Sequence, residues 1–537
     1  MLSFEILPSS AIGLSDFARV ASQIPRFRFA TRLEDIAALD DRLDLDDRRE
    51  LSETLEQHLA AFAPNVAVLD ALRALARPGS SCVVTGQQPG LLGGPLYSLF
   101  KALHAIRLAR SLSQAWERPV APLFWNHADD HDVAEVHHAW LLNENLDLQR
   151  VALAGLSSGR QPLSRIRFEE EKHKLGAVRE AVRRAMPQHA HLDDALDAFM
   201  PREHESFATA TTRALTDLLG PLGLVVLEPD WIRTPMSRAL ARISAQPIAE
   251  PLAEGERVLV QLGLRPAIES ANAALLFRVD QHGRHALRLG GEGFRYEGEE
   301  GSRTATELAA EIVDAPLEWS PGALLRPLVQ DSVLPSVAYV GGWGELEYLA
   351  QLGPLRAACG VPSTAAVPRW SCTLIEPETA EALAQLGVTA GNVIESRARV
   401  LVDQDDTPAP QVVVELREIA ARAAKELVAR KAQLAELDRG LAANLPRTAD
   451  QIRSLVEKIC EKAERVDANR RGRGKRLLRR AGNTLCPRGE LQERILGPLP
   501  FVARWGTDWI GELFERMTAM PEGHLLASFE APPRETK

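Results

Sequence analysis

The chain reads as an α/β protein with a doubly wound sheet, followed by a C-terminal helical hairpin. Three observations predict this. A strand, a glycine-rich turn and an amphipathic helix follow one another in SCVVTGQQPGLLGGPLYSLFKALHAIRLAR, residues 81–110. The same order returns in LPSVAYVGGWGELEYLAQLGPLRAA, residues 334–358, as the second half of a doubly wound sheet should. Beyond about residue 377 the apolar period changes to steps of three and four, the mark of long helices.

Each element has its own signal. Residues 15–78 carry apolar positions at helical spacing and end at the breaker Arg77-Pro78-Gly79-Ser80-Ser81. Val120 to Trp125 is a continuous apolar run, and Asp129, Asp130, His131 and Asp132 come just after its end. Two strands joined through a helix make a βαβ unit, whose ligands bind at the carboxyl ends of the strands. FEEEKHKLGAVREAVRRAM reads as a solvated helix. Leu224 to Leu227 is a short strand ending at Glu228-Pro229-Asp230, and residues 265–300 hold short strand-like runs lying outside the main sheet. Leu374-Ile375-Glu376 closes the core. Leu416, Ala420, Ala423, Leu427, Leu434, Leu437 and Leu441, then Ile452, Leu455, Ile459 and Val466, form an apolar seam. A break at Asn444-Leu445-Pro446 predicts an antiparallel coiled-coil hairpin, with two helices packed on the core as the alternative. The expected organisation is 1–78 as a helical segment on the core and 79–376 as the core, with insertions at about 150–222 and 240–315. The hairpin is expected at 377–485, and a returning helical segment at 486–537.

The 537 residues are too many for one compact core. The 63 basic and 73 acidic side chains leave a net charge of −10, which argues against nucleic acid as a partner. No run approaches the ~20 apolar residues of a membrane span, and the start lacks the pattern of a signal peptide. Five scattered cysteines without a CxxC pair speak against a disulfide framework or a cysteine zinc site. A reduced, cytoplasmic protein is expected.

Several clusters carry chemistry. Thr85-Gly86-Gln87-Gln88-Pro89-Gly90 and Gly93-Gly94-Pro95 match neither dinucleotide nor Walker fingerprints. They read as an anion-holding turn before a helix N-terminus or as a tight strand–helix connection. Lys101, on the following helix, either reaches a phosphate or carboxylate or is simply exposed. HADDHD, residues 127–132, offers two functional readings beside that of a polar loop with a helix cap. His127, Asp130 and His131 could hold a divalent metal. Alternatively His131 acts on substrate while Asp130 or Asp132 fixes its tautomer. Arg326, with Gln330 and Asp331, is placed to fork a carboxylate or to make a salt bridge. Glu345 and Tyr348 face the cleft beside Gly341 and Gly342, or Glu345 only caps its helix. The basic run Arg470 to Arg480 lacks interleaved aromatics and reads as a solvated or subunit-contacting face.

Five blocks resemble, in order, the signature blocks of one family, the bacillithiol synthases or cysteine ligases of bacillithiol biosynthesis. They are TGQQPGLLGGPLYSLFKALHAIRLA, FWNHADDHDVAEV, LLRPLVQDSVLPSVAYVGGWGELEYLAQL, VPRWSCTLIE and CPRGELQERILGPL. The resemblance spans roughly residues 80–500. It implies a Rossmann-like core with inserted connecting segments and a coiled coil that makes a homodimer. It also implies an amide-forming ligase that adds cysteine to the amine of a glucosamine-malate conjugate, the last step of bacillithiol synthesis. ATP or ADP is the implied nucleotide, and no metal is expected. On this reading Asp130, His131 and Asp132 are catalytic. Thr85, Gly86, Gln87, Gln88, Gly90, Tyr97, Lys101, Trp125, Asp129, Arg326, Gln330, Asp331, Gly341, Gly342, Glu345 and Tyr348 bind substrate or nucleotide. The chain departs from the pattern at Asp129, where glutamate is expected, at Trp343-Gly344 and at Glu347. A metal-dependent hydrolase using HADDHD and a non-catalytic coiled-coil scaffold are the competing functions.

Overall fold

A computed structural model describes residues 2–12, 16–38, 43–156, 159–169, 173–186, 189–290, 293–297, 302–396, 410–470 and 473–530. Glu170, Glu171 and Lys172 of the charged helical stretch, and Arg471 and Gly472 of the basic run, lie outside the described residues. The described residues fall into two compact units, one of residues 1–374 and 491–537, the other of residues 375–490.

The first unit is built on a five-stranded sheet. From edge to edge its strands are Ala365–Pro368, Ser336–Gly341, Ser81–Gln87, Val120–Asn126 and Val225–Leu227, all parallel. Parallel strands buried on both faces need continuous apolar runs, and four of the five have every residue buried or nearly so. From Ser81–Gln87 the chain winds outward through Val120–Asn126 to Val225–Leu227. It then returns to add Ser336–Gly341 and Ala365–Pro368 on the other side. The winding therefore reverses between Ser81–Gln87 and Ser336–Gly341, and such a reversal opens a crevice beyond the carboxyl ends of the two strands. Thr85 fixes the join, its hydroxyl donating to the Val340 carbonyl at 2.8 Å.

The Leu96–Trp116 helix follows the first strand and is buried over most of its length. Leu103, Ala105, Ile106, Leu108 and Leu112 are fully covered, as a helix under a sheet requires. The insertion at about 240–315, with Trp319–Pro321 just beyond it, forms a separate antiparallel sheet, ordered Trp319–Pro321, Leu276–Asp280, Gly283–Gly290 and Gly293–Tyr296.

The N-terminal stretch is less helical than its periodicity suggests. Leu2–Pro8 is a strand, paired antiparallel with Gly523–Phe529. Arg28 and Ala30 exchange backbone hydrogen bonds with Ala366 at 2.7 and 3.0 Å, so this segment extends the main sheet edge. Among the described residues, helices are confined here to Asp16–Val20, Leu45–Leu59 and Val66–Leu75, besides short 3₁₀ turns.

In the second unit, helices Pro377–Leu386 and Ala390–Glu395 pack on Arg473–Leu485. Helices Gln411–Ala429 and Lys431–Leu437 pack along Arg439–Arg470. Arg417 bonds Glu457 at 2.7 Å and Glu464 at 2.6 Å, and the Cys460 thiol lies 3.8 Å from the Val413 carbonyl. The reversal is not at Asn444-Leu445-Pro446. It falls at Asp438, whose carboxylate accepts the Leu441 N–H at 2.8 Å and starts the Arg439–Arg470 helix, with Pro446 inside that helix. The buried seam is also one of small residues, Ala420, Ala424, Ala442, Ala449 and Cys460, while Leu437, Leu441, Leu455 and Ile459 are exposed.

Candidate active site at the sheet reversal

A cavity of about 620 Å³ opens beyond the carboxyl ends of Ser81–Gln87, Val120–Asn126 and Ser336–Gly341. Its floor is the crevice predicted by the strand order. Its opposite wall comes from the insertion, through Ile268, Ala273, Ala274, Phe277 and Pro321 to Ala323.

At the reversal itself, Lys101 joins the two halves of the sheet. Tyr97 and Lys101 are one helical turn apart, so both reach the same strand end. The Lys101 ammonium donates to the Gly86 carbonyl and to Gln87 Oε1, each at 2.9 Å, and forms an ion pair with Glu345. Glu345 also accepts the Gly342 N–H and the Tyr339 hydroxyl, each at 2.8 Å. It therefore both caps its helix and lines the cavity. Burial lowers the Lys101 pKa, with Glu345 pulling the other way. For Glu345, burial pushes upward but Lys101 and these hydrogen bonds win, and the carboxyl is held below its usual range. All three ammonium donors are committed, so Lys101 is neither an exposed side chain nor a free phosphate anchor.

Further cations gather at this end. Arg326 donates to the Tyr348 hydroxyl at 2.6 Å and to Gln330 Oε1 at 3.2 Å, leaving other N–H groups open to the cavity it lines. Arg369 is ion-paired with buried Glu493 at 2.6 Å and lies 5.2 Å from the Tyr97 ring centre. Arg494 completes the wall. The Tyr97 hydroxyl accepts from Gln87 Nε2 at 3.1 Å, and burial pushes its pKa up to about 12, so it stays a donor at neutral pH.

The far end is acidic. Gln88 Nε2 donates to Asp130 Oδ2 at 2.5 Å. Asp129 is gripped by both Nη atoms of Arg233, which also pairs with Asp230. Burial opposes the Arg233 charge, but Asp129 and then Asp230 more than offset it and its pKa rises. His131 stands beside Arg284, which is stacked 3.7 Å from the Phe277 ring centre. His127 lies at the strand end with its Nε2 buried and without a partner, and burial, Arg326 and Lys101 hold its pKa well below the usual value.

The cavity thus gathers Gln87, Gln88, Tyr97, Lys101, Trp125, Asp129, Asp130, His131, Arg326, Gly342, Glu345 and Tyr348 among the residues expected from sequence. The others lie elsewhere. Asp132 is exposed and caps the Val133–Val136 helix, accepting the Ala134 N–H at 3.0 Å and that of Glu135 at 3.3 Å. Asp331 is buried between Arg356 and Thr364, each at 2.7 Å, away from the cavity. Gln330 supports Arg326 from behind, and Thr85 and Gly341 are internal to the sheet. Gly86 sits under His127, where an added Cβ would fall 2.6 Å from Nε2 and 2.4 Å from the Trp125 carbonyl.

Gly90, Gly93 and Gly94 of the glycine turn do not line the cavity. Gly90 packs on Gly94, Gly93 faces Phe199 and Pro498, and the Leu96 N–H is taken by the Leu496 carbonyl at 2.8 Å. Its glycines serve close backbone packing, two of them at positive φ, 89° for Gly93 and 65° for Gly94. The acidic residues of HADDHD are likewise committed to separate partners. Among the described residues no group of three His, Cys, Asp or Glu side chains is placed to hold a metal ion.

Phe277, Arg284, Arg369 and Arg494 also line the cavity without having been singled out from sequence, as does Trp343, noted there only as a departure from the family pattern. Arg369 and Arg494 sit inside the VPRWSC and CPRGELQERIL blocks, a signal that was present. Phe277 and Arg284 come from the insertion, which carries no motif.

Comparison with known proteins identifies the family. Residues 17–370 match the family model "Bacillithiol biosynthesis BshC, N-terminal Rossmann-like domain", and residues 372–529 match that of its "C-terminal coiled-coil domain". A relative from Koribacter versatilis, named "Putative cysteine ligase BshC", is 30% identical over 88% of each chain. One of the same name from Heliobacterium modesticaldum is 30% identical over 98% of this chain and 100% of its own. The chain belongs to the BshC family of bacillithiol biosynthesis. For this family member the Rossmann-like domain contains the whole fan of parallel strands, and the cavity lies at its reversal point. Among the described residues no helix is long and apolar enough to cross a membrane.

Proposed function

We propose that the protein is a cysteine ligase, joining the carboxyl group of cysteine to the glucosamine amine of a glucosamine-malate conjugate in the last step of bacillithiol synthesis. The relatives' names and the family match support the ligase class. The observation that carries the reading is the charge layout of the cavity. One end is lined by Lys101, Arg326, Arg369 and Arg494, the other by Asp129 and Asp130 with Arg284 beside them.

Amide formation brings together a carboxyl carbon, whose oxygens gain negative charge, and an amine that arrives partly cationic. The arginine end suits carboxylate or phosphate oxygens, with the Tyr97 hydroxyl as a further donor. The acidic end suits the amine and the sugar hydroxyls, through Asp130 and Gln88. The cavity volume lies within the ~300–1,000 Å³ of small-molecule sites. Arg326, Arg369 and Arg494 are the residues that would hold the phosphates of a nucleotide, since they line the cavity and Gly90, Gly93 and Gly94 do not. Activation is the chemistry it would supply. The chain's own residues orient the reactants and exclude water with the insertion wall.

The test is a thiol profile by mass spectrometry of cells with and without the gene. Loss of the cysteine-containing thiol with accumulation of glucosamine-malate is expected. An unchanged profile would remove the reading.

A further inference from the structure

The two ring nitrogens of His131 have different neighbours. Nδ1 lies 3.2 Å from Nη1 of Arg284. A guanidinium only donates hydrogen bonds, so Nδ1 is the acceptor and the ring proton belongs on Nε2. Nε2 has no partner among the described residues, and the ring lines the cavity. An Asp–His pair of the usual kind would need a carboxylate on Nδ1–H. Asp130 does not fill that place. Its Oδ1 is 3.7 Å from Nδ1 and accepts the backbone N–H of His131 at 2.6 Å and of Asp132 at 3.3 Å. Its Oδ2 accepts from Gln88, and Asp132 is spent on its helix cap.

Arg284 is itself held firmly. Its side chain is 5% exposed, its guanidinium covers the Phe277 ring, and Nη2 donates to Ser320 Oγ at 3.2 Å. Burial brings its pKa down to about 10, which leaves it charged at neutral pH. The charged groups facing His131 are Arg284, Asp130, Asp132 and Arg160; burial and then Arg284 lower the His131 pKa, against the two carboxylates.

We propose that Arg284 is a positioning residue that locks His131 as the neutral Nε2–H tautomer, so that His131 meets the substrate as a hydrogen-bond donor and not as a base. The nature of the oxygen it serves, a carbonyl or developing oxyanion, rests on the ligase reading. The tautomer does not.

The experiment uses the full chain labelled with ¹⁵N-histidine and long-range ¹H–¹⁵N correlation, with His131 assigned by its loss in His131→Gln. At pH 7 the ring is expected to show unprotonated Nδ1 and protonated Nε2. Arg284→Lys, which keeps a donor, should retain that pattern, whereas Arg284→Met should lose it and titrate at higher pH. A protonated Nδ1 in the wild type, a cationic ring at pH 7, or an unchanged pattern in folded Arg284→Met would each overturn the proposal. In the ligase assay Arg284→Met is expected to lower kcat at least tenfold with little change in KM, and Arg284→Lys to recover part of it. Wild-type protein with the expected tautomer but no ligase activity would sink the ligase reading and leave the positioning role standing.

Discussion

Lys101 has three N–H groups and gives one each to Gly86, Gln87 and Glu345, so a single side chain ties the two halves of the sheet at their reversal. Removing one partner of a buried ion pair leaves the other charge stranded. Lys101→Met should therefore cost about 3 kcal/mol in urea unfolding, the low end for such losses because Glu345 keeps some solvent contact. Lys101→Met combined with Glu345→Gln should recover part of that cost, and additive losses would show that the pair is not coupled. The sequence placed Lys101 near the turn but left open whether it was exposed. Helical phase alone does not say which face the sheet covers. Asp132 shows the reverse limit. It shares a motif with Asp130 and His131, yet two residues of chain carry it onto a helix cap outside the cavity. Arg284 reaches the cavity from a segment 153 residues beyond His131 in sequence, and no local pattern marks a residue that acts through tertiary folding.

Elements were legible where their period was clean. The strands at 81–87, 120–126, 225–227 and 336–341 all stood out as apolar runs closed by glycine or polar residues. Leu2–Pro8 and Arg28 to Ala30 did not, because an edge strand that alternates or is short carries little signal. The hairpin reversal was misplaced because Pro446 is a visible breaker, whereas the Asp438 cap is one residue. At the end of Val225–Leu227, Glu228 is buried and accepts from Thr212 at 2.6 Å, and burial raises its carboxyl pKa to about 7. The folded pKa lies above the unfolded one. The contribution is therefore full below about pH 4.5 and is lost as pH rises through about 7, a change of about 3 kcal/mol. Glu228→Gln should flatten the fall in urea stability between pH 5 and pH 8 by about that amount. An identical slope in the variant would show that Glu228 does not titrate in this range.

The whole molecule pairs a Rossmann-like domain with a coiled-coil domain, and the cavity lies entirely within the first compact unit. We propose that the coiled coil makes a homodimer. Leu441, Leu455, Ile459 and Val466 lie along one stripe of their helix and are 59%, 61%, 58% and 51% exposed, an apolar surface that association would cover. Sedimentation equilibrium should give twice the chain mass, and Leu455→Glu with Ile459→Glu should give the chain mass alone; a monomeric wild type would contradict this. The central claim is that the cavity at the sheet reversal performs the ligation. Its most direct measurement is the thiol extract of cells lacking the gene that carry either the wild-type protein or Arg326→Gln at equal abundance. The wild type should restore the cysteine-containing thiol, and the variant should leave glucosamine-malate accumulated. Full restoration by Arg326→Gln would contradict the account.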